Sequence, residues 1–121
     1  MIMVMGVQRS GTTALFRALE AGGSCRAYHE SADNAVFRRW RLRPEREIRS
    51  ILREAERPVL LKPIDETNHR RVRDVLEEFS EYEVWIPWIY RDPVDTFLST
   101  IEFYAQRRET GEDFYSRLPD Y

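Results

Sequence analysis

Cysteine, lysine and long hydrophobic runs are scarce in this chain of 121 residues. The one cysteine, Cys25, has no partner for a disulfide within the chain, and we interpret it as a small, partly buried side chain in a reducing compartment. No stretch approaches the ~20 apolar residues that cross a bilayer. Residues 2–7 are apolar, but they are too few for a signal peptide and follow no basic segment. We therefore expect a cytoplasmic protein without a membrane partner.

No charge of one sign dominates either. The 19 basic residues stand against 21 acidic ones, which gives a net charge of -2. A dedicated nucleic-acid-binding protein carries a clear basic excess, so we expect no nucleic-acid partner, although the balance allows a local basic pocket. The basic residues are 18 arginines and a single lysine, Lys62. Since repeats and Pro/Gly/Ser-rich linkers are absent as well, the length predicts one domain at most, or a piece of a larger one.

Short apolar runs alternate with longer amphipathic segments along the chain. This alternation predicts an α/β fold with a parallel sheet covered by helices. Strands are predicted over residues 2–7, 59–61 and 84–90, with 26–30 as a short strand or a loop. Helices are predicted over residues 12–21 (ending at Gly22-Gly23), 33–41, 44–57 (with Pro44 first), 68–79 (with Thr67 as N-cap) and 93–108. The tail to Tyr121 shows no clear periodicity.

The first predicted strand runs into the segment Gly6-Val7-Gln8-Arg9-Ser10-Gly11-Thr12-Thr13, which precedes the first predicted helix. Backbone N–H groups and the positive end of the helix dipole converge at such a junction. Gly11 permits close approach of the backbone, and Arg9 supplies a positive charge. Hydroxyl groups come from Ser10, Thr12 and Thr13. The segment predicts a site for phosphate or another anion; the alternative is a tight turn with a Ser/Thr cap.

The same segment departs from the nucleotide-binding pattern G-x-x-x-x-G-K-[ST]. Gly6 and Gly11 have the required spacing, but Thr12 stands at the lysine position and the cation is Arg9. Tyr90-Arg91-Asp92 offers no convincing Mg2+-binding strand. The loop therefore predicts phosphate binding of another type, and a P-loop nucleotide kinase or NTPase is the alternative from a different enzyme class.

A second motif follows the last predicted strand and reads Arg91-Asp92-Pro93-Val94-Asp95-Thr96-Phe97-Leu98-Ser99. Arg91 leaves the strand end and Ser99 lies two turns into the next helix, so both side chains can reach one anion. The alternative is that Arg91 pairs with Asp92 or Asp95 on the surface and that Ser99 lies on a neutral helix face.

Together the two motifs resemble those of the sulfotransferases that use 3'-phosphoadenosine 5'-phosphosulfate (PAPS). Residues 91–99 match the R-D-P-x-D-x-x-x-S motif of that family in full. The resemblance implies a P-loop-like fold that transfers a sulfuryl group from PAPS, without a metal, to an acceptor hydroxyl on a small molecule, a carbohydrate or a tyrosine. It also implies that the 3'-phosphate is held by Arg91 and Ser99, and the 5'-phosphosulfate by Arg9, Ser10, Gly11, Thr12 and Thr13.

Lys62 follows the predicted strand 59–61, at the sheet edge where ligands of open α/β folds bind. The family carries a lysine at such a strand end. The resemblance implies that Lys62 stabilises the transferring sulfonate with its compact ammonium charge. The alternative is a surface lysine whose ammonium group reaches into solvent.

The catalytic base that the resemblance implies is Glu30, with His29 as the substitute. Cytosolic members carry a histidine two residues after the lysine, where this chain has Ile64. In the tyrosylprotein branch, whose first loop also carries arginine, the base is a glutamate just after the first helix, and its spacing from Arg9 leads to Glu30. The alternative is that Glu30 is an ordinary solvated carboxylate.

Family members are longer, and their later part adds a loop that grips the 3'-phosphate and adenine. Ala14 stands where cytosolic members carry a tryptophan for adenine. The resemblance therefore implies that residues 1–121 correspond to the N-terminal, PAPS-binding part of a single sulfotransferase domain, and that the fold is incomplete. Further residues, another chain, or a loss of turnover in a nucleotide-binding module would each account for this. The acceptor, the adenine contacts and the oligomeric state stay open.

Overall fold

The computed structural model describes residues 1–109, except for the side chains at 67, 68 and 107–109. Its helices are α1 (Thr12–Ala21), α2 (Glu45–Arg53), α3 (Glu66–His69), α4 (Val72–Glu78) and α5 (Pro93–Glu109). Its strands are β1 (Ile2–Met3), β2 (Met5–Gly6), β3 (Arg26–His29), β4 (Phe37–Arg38), β5 (Arg41–Leu42), β6 (Val59–Lys62) and β7 (Trp88–Ile89). The predicted tail lies, from residue 110 onward, outside the described residues.

The central strands are parallel, as the sequence predicts. β1 and β3 flank β6, and β2 pairs with β7. β1 and β2 join the two groups, because the amide of Val4 donates to Leu61 O (2.8 Å) while that of Met3 donates to Trp85 O (2.8 Å). The strand order is therefore β3, β6, β1/β2, β7, which confirms the predicted α/β class with a parallel sheet.

Side chains on the two faces of this sheet form two apolar clusters. One cluster packs α1 against the sheet through Phe16, Val4 and Leu60. The other lies on the opposite face and takes Ile48 from α2 and Val75 from α4. Helices thus cover both faces, as is usual for buried parallel strands. The buried members of the second cluster are Met3, Met5, Val36, Phe37, Leu42, Ile48, Val59, Leu61, Val75 and Phe79.

α1 follows its prediction from the first residue to the last. Leu15 and Leu19 pack against the cluster of Phe16, Val4 and Leu60, which is the apolar stripe that the spacing indicates. The helix ends where Gly22 donates to Ala18 O (3.3 Å) and where Gly23 adopts a left-handed φ of 67°. Glycine adopts that conformation without a steric cost, so the predicted stop is confirmed.

The helix predicted over residues 33–41 is wrong. That segment forms turns and the antiparallel hairpin of β4 and β5. The cause is local, because Asn34 Oδ1 accepts from the amides of Val36 and Phe37 (both 2.8 Å) and Asp33 Oδ1 accepts from that of Arg39 (2.7 Å). Asn and Asp side chains compete in this way with the hydrogen bonds of a helix.

The helix predicted over residues 68–79 is also different, because it is two short helices that meet at Arg70 and Arg71. Both residues have extended ψ angles, 146° and 139°, and Arg71 is the residue before α4. Thr67 therefore lies inside α3 and is not an N-cap. The guanidinium of Arg70 bonds Glu78 (2.7 Å), so the break is stabilised by a contact back to α4.

The second helix is shorter than predicted and the last strand is less buried. α2 ends at Arg53, and Pro44 is its N-cap rather than its first helical residue. β7 pairs only with β2 among the described strands, and the side chains of Trp85 and Trp88 are 66% and 53% exposed. An apolar stripe on α5 is exposed as well, and consists of Val94, Phe97, Leu98 and Ile101.

Candidate functional site

The loop between β2 and α1 makes a close turn under Gly6. Gly6 has a φ of 151°, and a Cβ atom there would lie 2.9 Å from Ile89 O and 3.2 Å from Ser10 Oγ. Arg9 and Gly11 also have positive φ angles, 65° and 100°. Glycine is therefore required at position 6 by both contact distance and backbone conformation. Space around Gly11 is open, so that backbone is accessible to a ligand.

The hydroxyl groups of this loop divide into buried and exposed ones. Ser10 is buried and its Oγ donates to Val7 O at 2.6 Å, so it holds the turn. Thr12 is buried as well, whereas Thr13 is exposed. Gly11, the N-cap of α1, makes no side-chain cap, and the first turn holds no acidic residue. The helix terminus therefore stays available to an anion.

The two predicted anion-binding motifs meet in the structure. Arg9 Nε donates to Ser99 Oγ at 3.3 Å across 90 residues of sequence. Arg91 Nη1 donates to Arg9 O at 3.2 Å. Asp92 instead caps α5, since its Oδ1 accepts from the amides of Val94 (2.8 Å) and Asp95 (3.3 Å). Ser99 therefore joins α5 to the loop before α1, through its contact with Arg9.

Sequence reasoning missed Phe103 as a member of this group. The guanidinium carbon of Arg9 lies 4.6 Å from the centre of the Phe103 ring, a cation–π distance. Phe103 follows Ser99 by one helical turn, so the i,i+4 spacing on α5 carried the signal. The Arg9 guanidinium consequently contacts both a hydroxyl and an aromatic ring of α5.

Lys62 and Glu30 form a buried ion pair at neighbouring strand ends. Their Nζ and Oε1 atoms are 3.0 Å apart, and only 6% of Lys62 and 4% of Glu30 are exposed. The register of β3 and β6 sets His29 opposite Lys62, which brings Glu30 to the lysine. Both the surface-lysine and the solvated-carboxylate alternatives are therefore wrong.

Burial dominates the electrostatics of Glu30. Desolvation raises its pKa, against the opposing effects of the Lys62 charge and of a hydrogen bond from the Asp65 amide to Oε2 (2.9 Å). A carboxylate with a raised pKa is a better proton acceptor than an ordinary one. The sequence could not indicate that the Asp65 amide donates to Glu30, because every residue except proline carries a backbone N–H.

His29 is a neutral imidazole with one nitrogen already engaged. The Ser31 amide donates to Nδ1 (3.1 Å), which assigns the ring hydrogen to Nε2. Burial lowers its pKa from 6.5 to about 4, with smaller effects of the Lys62 and Arg17 charges. Its Nε2 atom is buried without a hydrogen-bond partner, and its ring packs nearly at right angles to that of Phe16, with the ring centres 5.2 Å apart.

All of these groups follow the carboxyl ends of parallel strands. Glu30 follows β3, Lys62 ends β6, Arg9 follows β2 and Arg91 follows β7. In the strand order, the loop between β2 and α1 lies between the ion pair on one side and Arg91 on the other. Ligands of open α/β sheets bind at this edge.

Two further findings concern the described residues. Among residues 1–109, no group of three or more His, Cys, Asp or Glu side chains is arranged to hold a metal ion. Within that range, none of the helices combines the length and the apolar character that crossing a membrane requires.

Comparisons with protein-family models, with curated proteins and with solved structures give no match to this chain. Its function is therefore inferred from its own residues and their geometry.

Proposed function

We propose that this chain is the nucleotide-binding part of a PAPS-dependent sulfotransferase with a P-loop-like fold. The observation that carries the proposal is the contact between the two motifs, Arg9 Nε to Ser99 Oγ at 3.3 Å and Arg91 Nη1 to Arg9 O at 3.2 Å. A single nucleotide with two anionic groups would need both motifs at one place. Separate surface ion pairs and an isolated capped turn would not bring them together.

The loop and the second motif would divide the nucleotide between them. The open N-terminus of α1, Gly11 and Thr13 suit the 5'-phosphosulfate, and Ser10 and Thr12 shape the turn beneath it. Arg91 and Ser99 suit the 3'-phosphate, because a guanidinium and a hydroxyl both donate hydrogen bonds to phosphate oxygens. Arg9, which contacts both Ser99 and Arg91, would lie between the two groups.

The ion pair would serve the chemical step. The acceptor oxygen attacks sulfur and forms an S–O bond, while the S–O bond to the 5'-phosphate breaks. The acceptor proton passes to Glu30, and the leaving phosphate oxygen keeps the bonding electrons. Lys62 and the N–H groups of the loop offset the negative charge that develops there, so this step needs no metal from the protein.

Glu30 suits the role of base better than His29. The Nδ1 atom of His29 accepts from Ser31, and Nε2 carries the hydrogen, so neither nitrogen offers a free lone pair. Glu30 combines a raised pKa with burial next to the lysine. His29 then contributes packing against Phe16.

Calorimetry on the intact protein tests the nucleotide. We expect 3'-phosphoadenosine 5'-phosphate to bind at micromolar concentration or tighter, and AMP at least ~10-fold more weakly, because it lacks the 3'-phosphate. Equal affinity for the two would overturn the proposal. Mg2+-dependent binding of ATP or GTP in their place would favour a P-loop kinase or NTPase.

Glu30→Gln separates an enzyme from a nucleotide-binding module. The variant keeps the size of the side chain but cannot accept the acceptor proton. We expect nucleotide affinity to stay within ~3-fold, and sulfuryl transfer to a panel of hydroxyl acceptors to fall by ~100-fold or more. Nucleotide binding by a wild-type protein that transfers nothing to any acceptor would instead favour the module.

A further inference from the structure

Glu66 is the most deeply buried charged side chain of the described residues, with 1% of its surface exposed. Its Oε1 accepts from Arg41 Nε (2.7 Å) and from the Leu42 amide (2.9 Å), and its Oε2 accepts from Arg41 Nη2 (3.2 Å). A buried carboxylate needs such donors, because no water replaces them. The planar guanidinium and the amide together fix where Glu66 lies.

The donors belong to the β4–β5 hairpin, residues 37–42, which we call the brace hairpin. Its two turn residues, Arg39 and Trp40, have φ angles of 49° and 67°. Two consecutive left-handed residues are typical of a tight hairpin turn, but asparagine and glycine are the usual choices. A strained turn of this kind persists only where surrounding contacts over-determine it.

The brace hairpin is anchored beside both strand ends of the ion pair. On the β3 side, Asn34 Oδ1 accepts from the Phe37 amide (2.8 Å), and Asn34 Nδ2 donates to His29 O (3.1 Å). On the β6 side, Glu66 binds the hairpin and directly follows Asp65. The Asp65 amide in turn donates to Glu30 Oε2 (2.9 Å). A continuous set of contacts thus leads from the hairpin to the carboxylate of Glu30.

We propose that Glu66 is a positioning residue that holds the Asp65 amide in place and thereby aims the Glu30 carboxylate at Lys62. One oxygen of Glu30 accepts from Asp65 and the other from Lys62, so a shift of the amide rotates the carboxylate away from the lysine. This role rests on the proposed sulfuryl transfer. Its geometric part, the order of the Glu30–Lys62 pair, can be measured separately.

Glu66→Gln is the test, and Glu45→Gln is the matched control. Glu45 is also buried, at 7% exposure, and its substitution also removes an ion pair, the one with Arg49 at 2.8 Å. Its other side-chain contact is with the hydroxyl of Tyr82 (2.5 Å), a residue that packs against the apolar cluster of Ile48 and Val75. Both variants remove one buried negative charge, so a general loss of stability affects them alike.

We expect Glu66→Gln to lower kcat by ~10- to 100-fold and to change the KM for PAPS by less than ~3-fold, as for other residues that orient a reacting group. The acidic limb of the profile of kcat against pH should move as well, because the contacts of the Glu30 carboxylate change. Lys62 and Asp65, the charged groups that act on Glu30, are themselves unchanged. Glu45→Gln should leave kcat and the limb in place. Equal kcat values for the two variants, per folded molecule, would overturn the proposal.

A second readout does not depend on activity. Lys62 is the only lysine in these 121 residues, so 15N-lysine labelling gives one side-chain signal. We expect that signal to shift in Glu66→Gln and to stay in place in Glu45→Gln; an unchanged signal in Glu66→Gln overturns the positioning role. A wild-type protein without sulfuryl transfer would contradict the proposed function instead. If Glu66→Gln fails to fold, Arg41→Lys takes its place with the same expectations. This variant keeps the positive charge but loses the paired hydrogen bonds of the guanidinium to the two Glu66 oxygens.

Discussion

Arg91 donates a hydrogen bond to the main-chain oxygen of Arg9, 82 residues earlier in the chain. The same arginine at position 9 donates through Nε to Ser99, one residue of the motif that Arg91 begins. The loop before α1 and the first turns of α5 are therefore one structural unit. A ligand that binds either motif has the other within its reach.

The first prediction concerns this unit. Replacing Arg91 by Gln removes a positive charge. The variant should bind 3'-phosphoadenosine 5'-phosphate ~10- to 100-fold more weakly, which is the effect of losing a charge-assisted hydrogen bond. AMP has no 3'-phosphate, so its affinity should stay within ~2-fold of the wild-type value. Calorimetry of the two nucleotides measures both. Arg73→Gln is the control, because Arg73 is exposed on α4 and pairs with Glu77; an equal loss for both nucleotides would speak against a 3'-phosphate contact.

The second prediction concerns the pH dependence of stability through Glu30. Burial raises the pKa of Glu30 above its ordinary 4.5, so the folded protein keeps a proton that the unfolded chain releases. The contribution of Glu30 to stability should therefore be largest at low pH and should decline as the pH rises above 4.5 through the raised pKa. Glu30→Gln resembles the protonated form and should lack this decline. Urea unfolding of both proteins between pH 4 and 8 measures the difference, and a wild-type protein that gains stability over the variant as the pH rises would contradict it.

The third prediction concerns His29. Burial lowers its pKa from 6.5 to about 4, so the imidazole is neutral when folded and becomes charged more readily when unfolded. Its contribution should be fully present above pH 6.5 and should be lost as the pH falls from 6.5 toward 4. The amount is of order 1 kcal/mol, because the ring is partly solvated. An NMR titration of the histidine ring protons, assigned with His69→Asn, measures the pKa; a midpoint for His29 near 6.5 would contradict the prediction.

The fourth prediction concerns Gly6. A Cβ atom at this position would lie 2.9 Å from Ile89 O, on a backbone with φ of 151°. Gly6→Ala should therefore reduce the free energy of unfolding by ~2 kcal/mol, through strain and the separation of β2 from β7. Gly22→Ala is the control, since Gly22 has a helical φ of -65° and its nearest atom would lie 3.4 Å away. Its effect should stay within ~0.5 kcal/mol. Urea unfolding compares the two, and similar losses would contradict the assigned contact.

Some elements could be predicted from sequence because their causes are local. The apolar stripe of Leu15 and Leu19 and the Gly22-Gly23 stop define α1 from end to end. The helix predicted over residues 33–41 is wrong for an equally local reason, because the Oδ1 atoms of Asp33 and Asn34 accept hydrogen bonds from nearby amides. Aspartate and asparagine favour turns, so the residue types at positions 33 and 34 indicated a turn. The hydrophobic spacing of the segment indicated a helix instead, and the prediction followed the spacing.

The sequence could predict which residues lie in the candidate site, but not which of them are in contact. Spacing and motif placed Lys62 and Glu30 at strand ends, yet their 3.0 Å ion pair depends on the register of β3 against β6. The role of the Asp65 amide and the burial of Glu66 left no sequence signal, because both depend on how the brace hairpin packs beside α3.

By itself the sequence determined the parallel α/β pattern, the glycine-bearing loop before α1 and the second motif, because periodicity, glycine placement and residue spacing act along the chain. Only the tertiary structure decided that Arg9 meets Ser99, that Lys62 is buried against Glu30 and that Glu66 is held by Arg41. These contacts join residues 25 to 90 positions apart. Strand order and register bring such residues together, and both are set by the packing of the whole sheet against its helices.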